Sequence, residues 1–127
     1  MGNESAGAKS TGAEMWRKVM CMEPPSTDDG GFLDLTRDHV FGQVWTRGSL
    51  SQRDRRLISL TCTALNPSGP ALGLHIEKAI ESSDCTPDDI DEWIVHLAHY
   101  AGWPVAANVY TVTRPVLAHF RDIEGGV

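Results

Sequence analysis

The chain has 127 residues, 41% of them hydrophobic and 22% charged, which is the composition of an ordinary globular protein of one domain. Eleven Lys and Arg against seventeen Asp and Glu give a formal net charge of −6, so sequence-independent binding of nucleic acid, which requires a dense basic face, is not expected. No run approaches the ~18 consecutive apolar residues of a membrane span, and MGNESAGAKSTG lacks the apolar core of a secretory signal. We therefore expect a cytoplasmic protein that binds neither membrane nor nucleic acid.

The N-terminal part of the chain alternates between polar tail, helix and loop. Residues 1–12 are rich in Gly, Ser and Ala without apolar periodicity and are predicted to form a disordered tail. A short helix is predicted from Glu14 to Met20, followed by a loop over residues 23–31, where two prolines and two glycines interrupt the chain. We expect residues 13–127 to form a single helical domain.

The middle of the chain has apolar residues at helical spacing almost without a break. This spacing predicts helices over residues 34–46, 52–65 and 70–82, with Ser51 as the N-cap of the second and Pro70 at the first position of the third. The sequence NPSGP between the second and third helices predicts a turn.

The strongest helix start in the chain is Thr86-Pro87-Asp88-Asp89, where Thr caps the helix and two carboxylates face the positive end of its dipole. One apolar stripe follows as far as Ala101, and Gly102 ends the helix. A last helix is predicted from Pro104 towards Phe120, kinked or shortened by Pro115. No segment has the pattern of a strand, so the predicted class is all-α with about six helices.

Two groups of histidines are candidates for proton transfer. His75 lies on the apolar stripe of the 70–82 helix, where it is either a core histidine or an imidazole that lines a pocket and titrates near neutral pH. His96 lies beside Tyr100 at the edge of the next apolar stripe, and His99 points to the opposite side. No third ligand accompanies this His-x-x-His pair, so a metal site is not expected.

Four arginines in an otherwise acidic chain are either a solvated helix face or a clamp for carboxylates, which guanidinium groups bind in bidentate geometry. They are Arg47, Arg53, Arg55 and Arg56. Aromatic side chains either wall a small apolar cavity or pack in the core. They are Trp45, Trp93, Tyr100 and Trp103.

Two segments resemble the carboxymuconolactone decarboxylase family in order and spacing, over residues 35–112. FGQVWTRGSLSQRDRRLISL resembles its Trp-Thr-Arg loop and arginine-rich helix. ALGLHIEKAIESSDCTPDDIDEWIVHLAHYAGWPVAANVY resembles its Leu-His-x-x-x-Ala helix, its Thr-Pro-x-x-Ile cap and its Tyr-x-Gly-x-Pro-x-Ala-x-Asn motif. The resemblance implies an alkyl hydroperoxidase-like helical fold, a homotrimer or homohexamer, and no metal or organic cofactor.

The resemblance also locates a histidine and excludes one branch of the superfamily. The family's histidine corresponds to His75. Thiol-dependent peroxidases of the sister branch have a Cys-x-x-Cys motif where this chain has Ser68 and Ala71, so peroxidase chemistry is not expected. The three cysteines are scattered and odd in number, and neither a redox dithiol nor a disulfide framework is predicted. Many members have an acidic residue where this chain has Arg56.

The resemblance implies a decarboxylase of aromatic-compound catabolism that removes CO2 from a γ-carboxylated unsaturated lactone. Such a reaction needs a proton donor, and His75 is the candidate, assisted by His96 or Tyr100. It also needs a carboxylate anchor and an apolar wall. The candidates for the anchor are Arg47 and Arg56, and those for the wall are Trp45 and Trp93.

Two other functions remain open from the sequence. The first is a related lyase, isomerase or cyclase on another keto acid or polyketide-like substrate, favoured by the basic residue at position 56. The second is an oligomer that binds a small molecule without catalysis, because a fold does not fix a function.

Overall fold

A computed structural model describes residues 2–66 and 70–125, with side chains from residue 11 onward. The chain forms two compact units that divide between Gln52 and Arg53, here called the first and the second unit. The residues described in both units form helices, turns and loops without a strand, which confirms the predicted all-α class.

The first unit contains α1, Gly2–Met20, and α2, Phe32–Leu35, which continues as a π-helix over Thr36–Val44. Helix α1 therefore begins well before the predicted start at Glu14. The predictions of a disordered tail over residues 1–12 and of a single domain over residues 13–127 stay predictions.

The π-helix replaces the α-helix predicted over residues 34–46. The backbone N–H of Trp45 donates to the carbonyl of Val40 at 2.9 Å, five residues earlier instead of four. Phe41 is buried, its ring centroid 5.0 Å from Trp16 and 5.6 Å from Trp45. Apolar spacing alone predicts a helix here and does not distinguish its hydrogen-bond register.

Gly12 allows α1 to approach the π-helix at backbone distance. A Cβ atom at this position would lie 2.3 Å from the carbonyl oxygen of Arg37, closer than any side chain tolerates. The first unit is therefore held by a backbone contact as well as by its aromatic side chains.

The second unit contains four helices whose bounds follow the sequence prediction closely. They are α3, Gln52–Leu65; α4, Ala71–Glu81; α5, Pro87–Ala101; and α6, Trp103–Gly125. Their buried apolar side chains form one core. It includes Leu60, Ala64, Leu72, Ile76, Ala79, Ile90, Leu97, Val109 and Leu117.

Helix α5 begins and ends at the predicted residues. The hydroxyl of Thr86 accepts from the N–H of Asp89 at 3.1 Å, and the Asp89 carboxylate accepts from the N–H of Thr86 at 2.9 Å, which is a complete capping box. Gly102 follows with φ of 102°, a backbone conformation that favours glycine.

Helix α6 continues through Pro115, so of the two predicted effects the shortening is wrong, while the kink stays a prediction. Proline removes one backbone donor, and the carbonyl that loses it belongs to Thr111, which is exposed to water. Thr113 and Leu117, on either side of the proline, are both buried and keep the helix packed. No helix in the described parts of the chain combines the length and apolarity that crossing a membrane requires.

Candidate functional site

His75 lies on α4 between the buried residues Leu72 and Ile76, and its own ring is half-buried. Burial holds the pKa of His75 below its ordinary value, and the positive charge of Arg56 lowers it further. The protonated imidazole is therefore a stronger acid than histidine in water, and the site favours the neutral ring.

Arg56, the charged neighbour of His75, lies in the interior of the second unit with 1% of its surface exposed. Its Nε donates to Asp84 at 3.1 Å, and its Nη2 donates to the hydroxyl of Ser82 at 3.3 Å. A substrate carboxylate that bound Arg56 would therefore compete with Asp84. The predicted role of Arg56 as a substrate anchor stays a prediction.

Cys85 is buried beside this ion pair, and its backbone N–H donates to the carbonyl of Ala79 at 2.9 Å. Burial raises the pKa of the Cys85 thiol, and the charges of Arg53 and Arg56 act on it in the opposite direction. The guanidinium groups of Arg53 and Arg56, both on α3, therefore both influence the pKa of the Cys85 thiol. A buried thiol with a raised pKa is a poor nucleophile.

A groove of about 290 Å³ separates α3 from α5. Its lining is formed by Arg53 and Leu57 of α3 and by Asp89, Glu92, Trp93 and His96 of α5. Arg53 is 49% exposed, and its Nη2 is 3.6 Å from the Asp89 carboxylate, beyond hydrogen-bond distance. The half-exposed guanidinium of Arg53 therefore forms a long ion pair with Asp89 and can also be reached by a ligand in the groove.

Two of the predicted site residues, Trp93 and His96, share this groove. The indole N–H of Trp93 donates to the hydroxyl of Thr61 at 3.1 Å, which fixes the ring against α3. His96 is exposed, and its ring lies 5.0 Å from that of Tyr100, which is 84% exposed. The structure therefore brings Trp93 and His96 together and places Tyr100 beside His96.

Trp45 and Arg47 belong to the first unit. The indole of Trp45 is half-buried and stacks on Phe41, while Arg47 is exposed and its N–H donates to the carbonyl of Val44 at 3.1 Å. Their predicted roles as cavity wall and carboxylate anchor stay predictions.

No group of three potential ligands suited to a metal ion occurs among the described residues. In the His-x-x-His pair, the Nδ1 of His99 donates to the carbonyl of Val95 at 2.7 Å. The ring of His99 also packs edge-on against Trp103, 6.4 Å between centroids.

The structure makes two residues prominent, Arg53, which the sequence did not distinguish from three other arginines, and Asp84, which it did not indicate. Arg53 was one of four candidate arginines, and nothing local indicates that it faces a groove while Arg56 is buried. Asp84 lies 28 residues from Arg56, so their pairing has no local signal. The one available hint was the placement of Asp84 just before the capped start of α5.

Comparison with known proteins identifies a family and relatives that match the sequence of the chain. Residues 31–115 match the carboxymuconolactone decarboxylase family. A nitrosuccinic acid decarboxylase of Metarhizium robertsii is 28% identical over 111 residues, which are 87% of this chain and 76% of that protein. A 4-carboxymuconolactone decarboxylase of Acinetobacter baylyi is 25% identical over 92 residues, 72% of this chain and 66% of that protein. No solved structure matches the chain.

Proposed function

We propose that this chain, which belongs to the carboxymuconolactone decarboxylase family, is a decarboxylase of a small dicarboxylic acid and works without a cofactor. The observation that carries the proposal is the half-buried imidazole of His75 beside the buried charge of Arg56. Two relatives that are named as decarboxylases of different acids support an enzymatic role.

The acids in the names of these relatives have a common chemistry. Each has a carboxyl group on a carbon that is joined to an electron acceptor, a nitro group in nitrosuccinic acid and a conjugated lactone carbonyl in 4-carboxymuconolactone. Each also has a second carboxyl group, one carbon further along. When the carbon–carbon bond to CO2 breaks, its electron pair moves into the acceptor and charge develops on oxygen. We propose that the substrate of this chain has the same arrangement.

His75 supplies the proton that completes the reaction. After CO2 leaves, the imidazolium of His75 transfers a proton to a carbon of the delocalised anion, and the ring becomes neutral. The lowered pKa of His75 favours this direction, because both burial and Arg56 disfavour the charged ring. Water then protonates the imidazole again, so no external oxidant or reductant is needed.

The test is CO2 release by the purified full-length chain from nitrosuccinic acid and from 4-carboxymuconolactone. We expect release from at least one of the acids, and at least a ~100-fold loss of turnover in His75→Ala, as for removal of an acid or a charge-stabilising donor elsewhere. His119→Ala is the matched control, because His119 is an exposed imidazole of α6, whereas His75 is half-buried on α4.

Two results would contradict the proposal. Absence of CO2 from both acids would rule out this substrate class. Near-normal turnover in a folded His75→Ala variant would remove His75 from the mechanism.

Self-association is a further part of the proposed function. Trp103 is 70% exposed and lies with Val95 and Tyr110 in an apolar hollow of about 350 Å³ between α5 and α6. A large exposed apolar surface is typical of an interface, and the family resemblance implies a trimer or hexamer. Light scattering of the wild type and of Trp103→Glu tests this, since a buried carboxylate at the interface would dissociate the oligomer.

A further inference from the structure

Helix α3 presents two guanidinium groups one turn apart in opposite environments. Arg56 is buried and bound to Asp84 and Ser82. Arg53 is half-exposed, lines the groove, and has a carboxylate neighbour only at 3.6 Å. Side chains three residues apart on a helix are neighbours, about 5–6 Å apart at Cβ. Arg53 and Arg56 are therefore adjacent on α3, although one is half-exposed and the other is buried.

The two carboxylates that line the groove, Asp89 and Glu92, differ in their environments. Asp89 accepts the N–H of Thr86 in the capping box, and this hydrogen bond lowers the pKa of Asp89. Glu92 is exposed and lies on the same wall. An anionic ligand on Arg53 would therefore be attracted by this guanidinium and repelled by the carboxylates of Asp89 and Glu92.

We propose that Arg53 binds the carboxylate of the substrate that is not lost as CO2, and that Trp93 forms the apolar wall beside it. This inference rests on the proposed function, since it assigns the second carboxyl group of the same substrate class. Guanidinium binds carboxylate in a planar fork, which lysine does not reproduce. The groove is at the lower end of the roughly 300–1,000 Å³ of small-molecule sites, which suits a short dicarboxylic acid.

Arg53 is then a specificity-determining residue that selects a substrate with a carboxylate at this position over one with a neutral group there. Glu92 limits the affinity, because it places a like charge in the same groove. Loss of the Arg53 charge should weaken the binding of a carboxylate ligand, whereas loss of the Glu92 charge should strengthen it. Opposite effects on one ligand would distinguish a charge effect from a general disturbance of the groove.

The experiment compares the binding of succinate and of its diamide, succinamide, which has the same carbon chain without charge, by calorimetry at low ionic strength. We expect the wild type to bind succinate at least about tenfold more tightly than succinamide, since a hydrogen bond to a charged group contributes this much or more. Arg53→Gln should bring this ratio close to one, and Arg53→Lys should retain part of it. Glu92→Gln should increase the affinity for succinate about two- to fivefold.

Arg17→Gln is the matched control, because it removes the same charge from an exposed arginine of the first unit and should leave the ratio unchanged. Helical content and melting temperature establish that Arg53→Gln is folded. If Arg53→Gln keeps the preference for succinate, or if the wild type shows none, the inference is overturned.

The reacting acids distinguish this inference from the proposed function. If both hold, Arg53→Gln raises KM at least about tenfold for a reacting dicarboxylate with little change in kcat, whereas His75→Ala lowers kcat. Selective succinate binding without CO2 release would contradict the function and leave the assignment of Arg53 standing. CO2 release that is unaffected by Arg53→Gln would contradict the assignment and leave the function standing.

Discussion

The two units of the chain use their charged side chains differently. In the first unit, the buried carboxylate of Asp34 accepts from the N–H of Gly30 at 2.7 Å and from the hydroxyl of Thr27 at 2.9 Å, so it closes the loop before α2. In the second unit, the buried carboxylate of Asp84 binds Arg56, whose charge acts on His75. The carboxylate of the first unit therefore organises backbone, while that of the second sets the environment of an imidazole.

The largest expected effect is on the buried ion pair of the second unit. Arg56→Met removes the buried guanidinium that binds the carboxylate of Asp84, and should lower the free energy of unfolding by about 3–5 kcal/mol in urea denaturation at pH 7. The double variant Arg56→Met with Asp84→Leu should recover most of this loss. In the first unit, Arg17→Met removes the exposed pair with Glu23 and should change stability by only ~0–1 kcal/mol. Equal losses in the two units would contradict this comparison.

The next largest effect is expected in the first unit, at the close backbone contact between Gly12 of α1 and Arg37 of the π-helix. Gly12→Ala places a Cβ against the carbonyl of Arg37, which cannot move as a flexible side chain would, and should destabilise the chain by about 1–3 kcal/mol in spite of the better helix propensity of alanine. Gly48→Ala is the control, because no atom lies within 4 Å of its Cβ position. A stabilised Gly12→Ala variant would show that the close contact is not maintained in solution.

A smaller loss is expected for the hydrogen bond that fixes the groove wall. Trp93→Phe removes the indole N–H that donates to Thr61, and should lower stability by about 1 kcal/mol. Trp103→Phe, at an exposed indole, should have less effect on the isolated chain. Thermal unfolding of both variants measures the difference, and a reversed order would mean that the Trp93 hydrogen bond contributes little.

The titration of His75 should change stability and activity in opposite directions. Because the folded pKa is depressed, the folded state binds fewer protons, and stability is lost as pH falls from about 6.5 through the folded pKa. Because the imidazolium is the proton source, kcat/KM should instead fall as pH rises through the same pKa.

NMR titration of the His75 ring, assigned with His75→Gln, and a pH–rate profile measure these two curves. His75→Gln should flatten the stability change over this range of pH. An activity that rises with pH would assign the neutral ring as the working form and contradict the proposed proton transfer.

Local sequence signals predicted most of the second unit. The capping box of Thr86 and Asp89, the glycine that ends α5 and the bounds of α3 depend on residues within one or two turns, and all are as expected. The partial burial of His75 also agrees with its place on an apolar stripe. Local signals failed where packing overrides them, as at Pro115, which α6 accommodates, and in the π-helix of the first unit.

The sequence by itself determined the helical class, most helix ends of the second unit and the set of imidazoles and guanidinium groups from which a site can be built. These properties depend on periodicity and capping, which act between residues close in the chain. Only the tertiary structure decided that Arg56 is buried against Asp84 while Arg53, one turn away, faces an open groove with Trp93 and His96. The reason is that burial and ion pairing depend on which helices pack together, and the residues that meet there are separated by about thirty positions in the sequence.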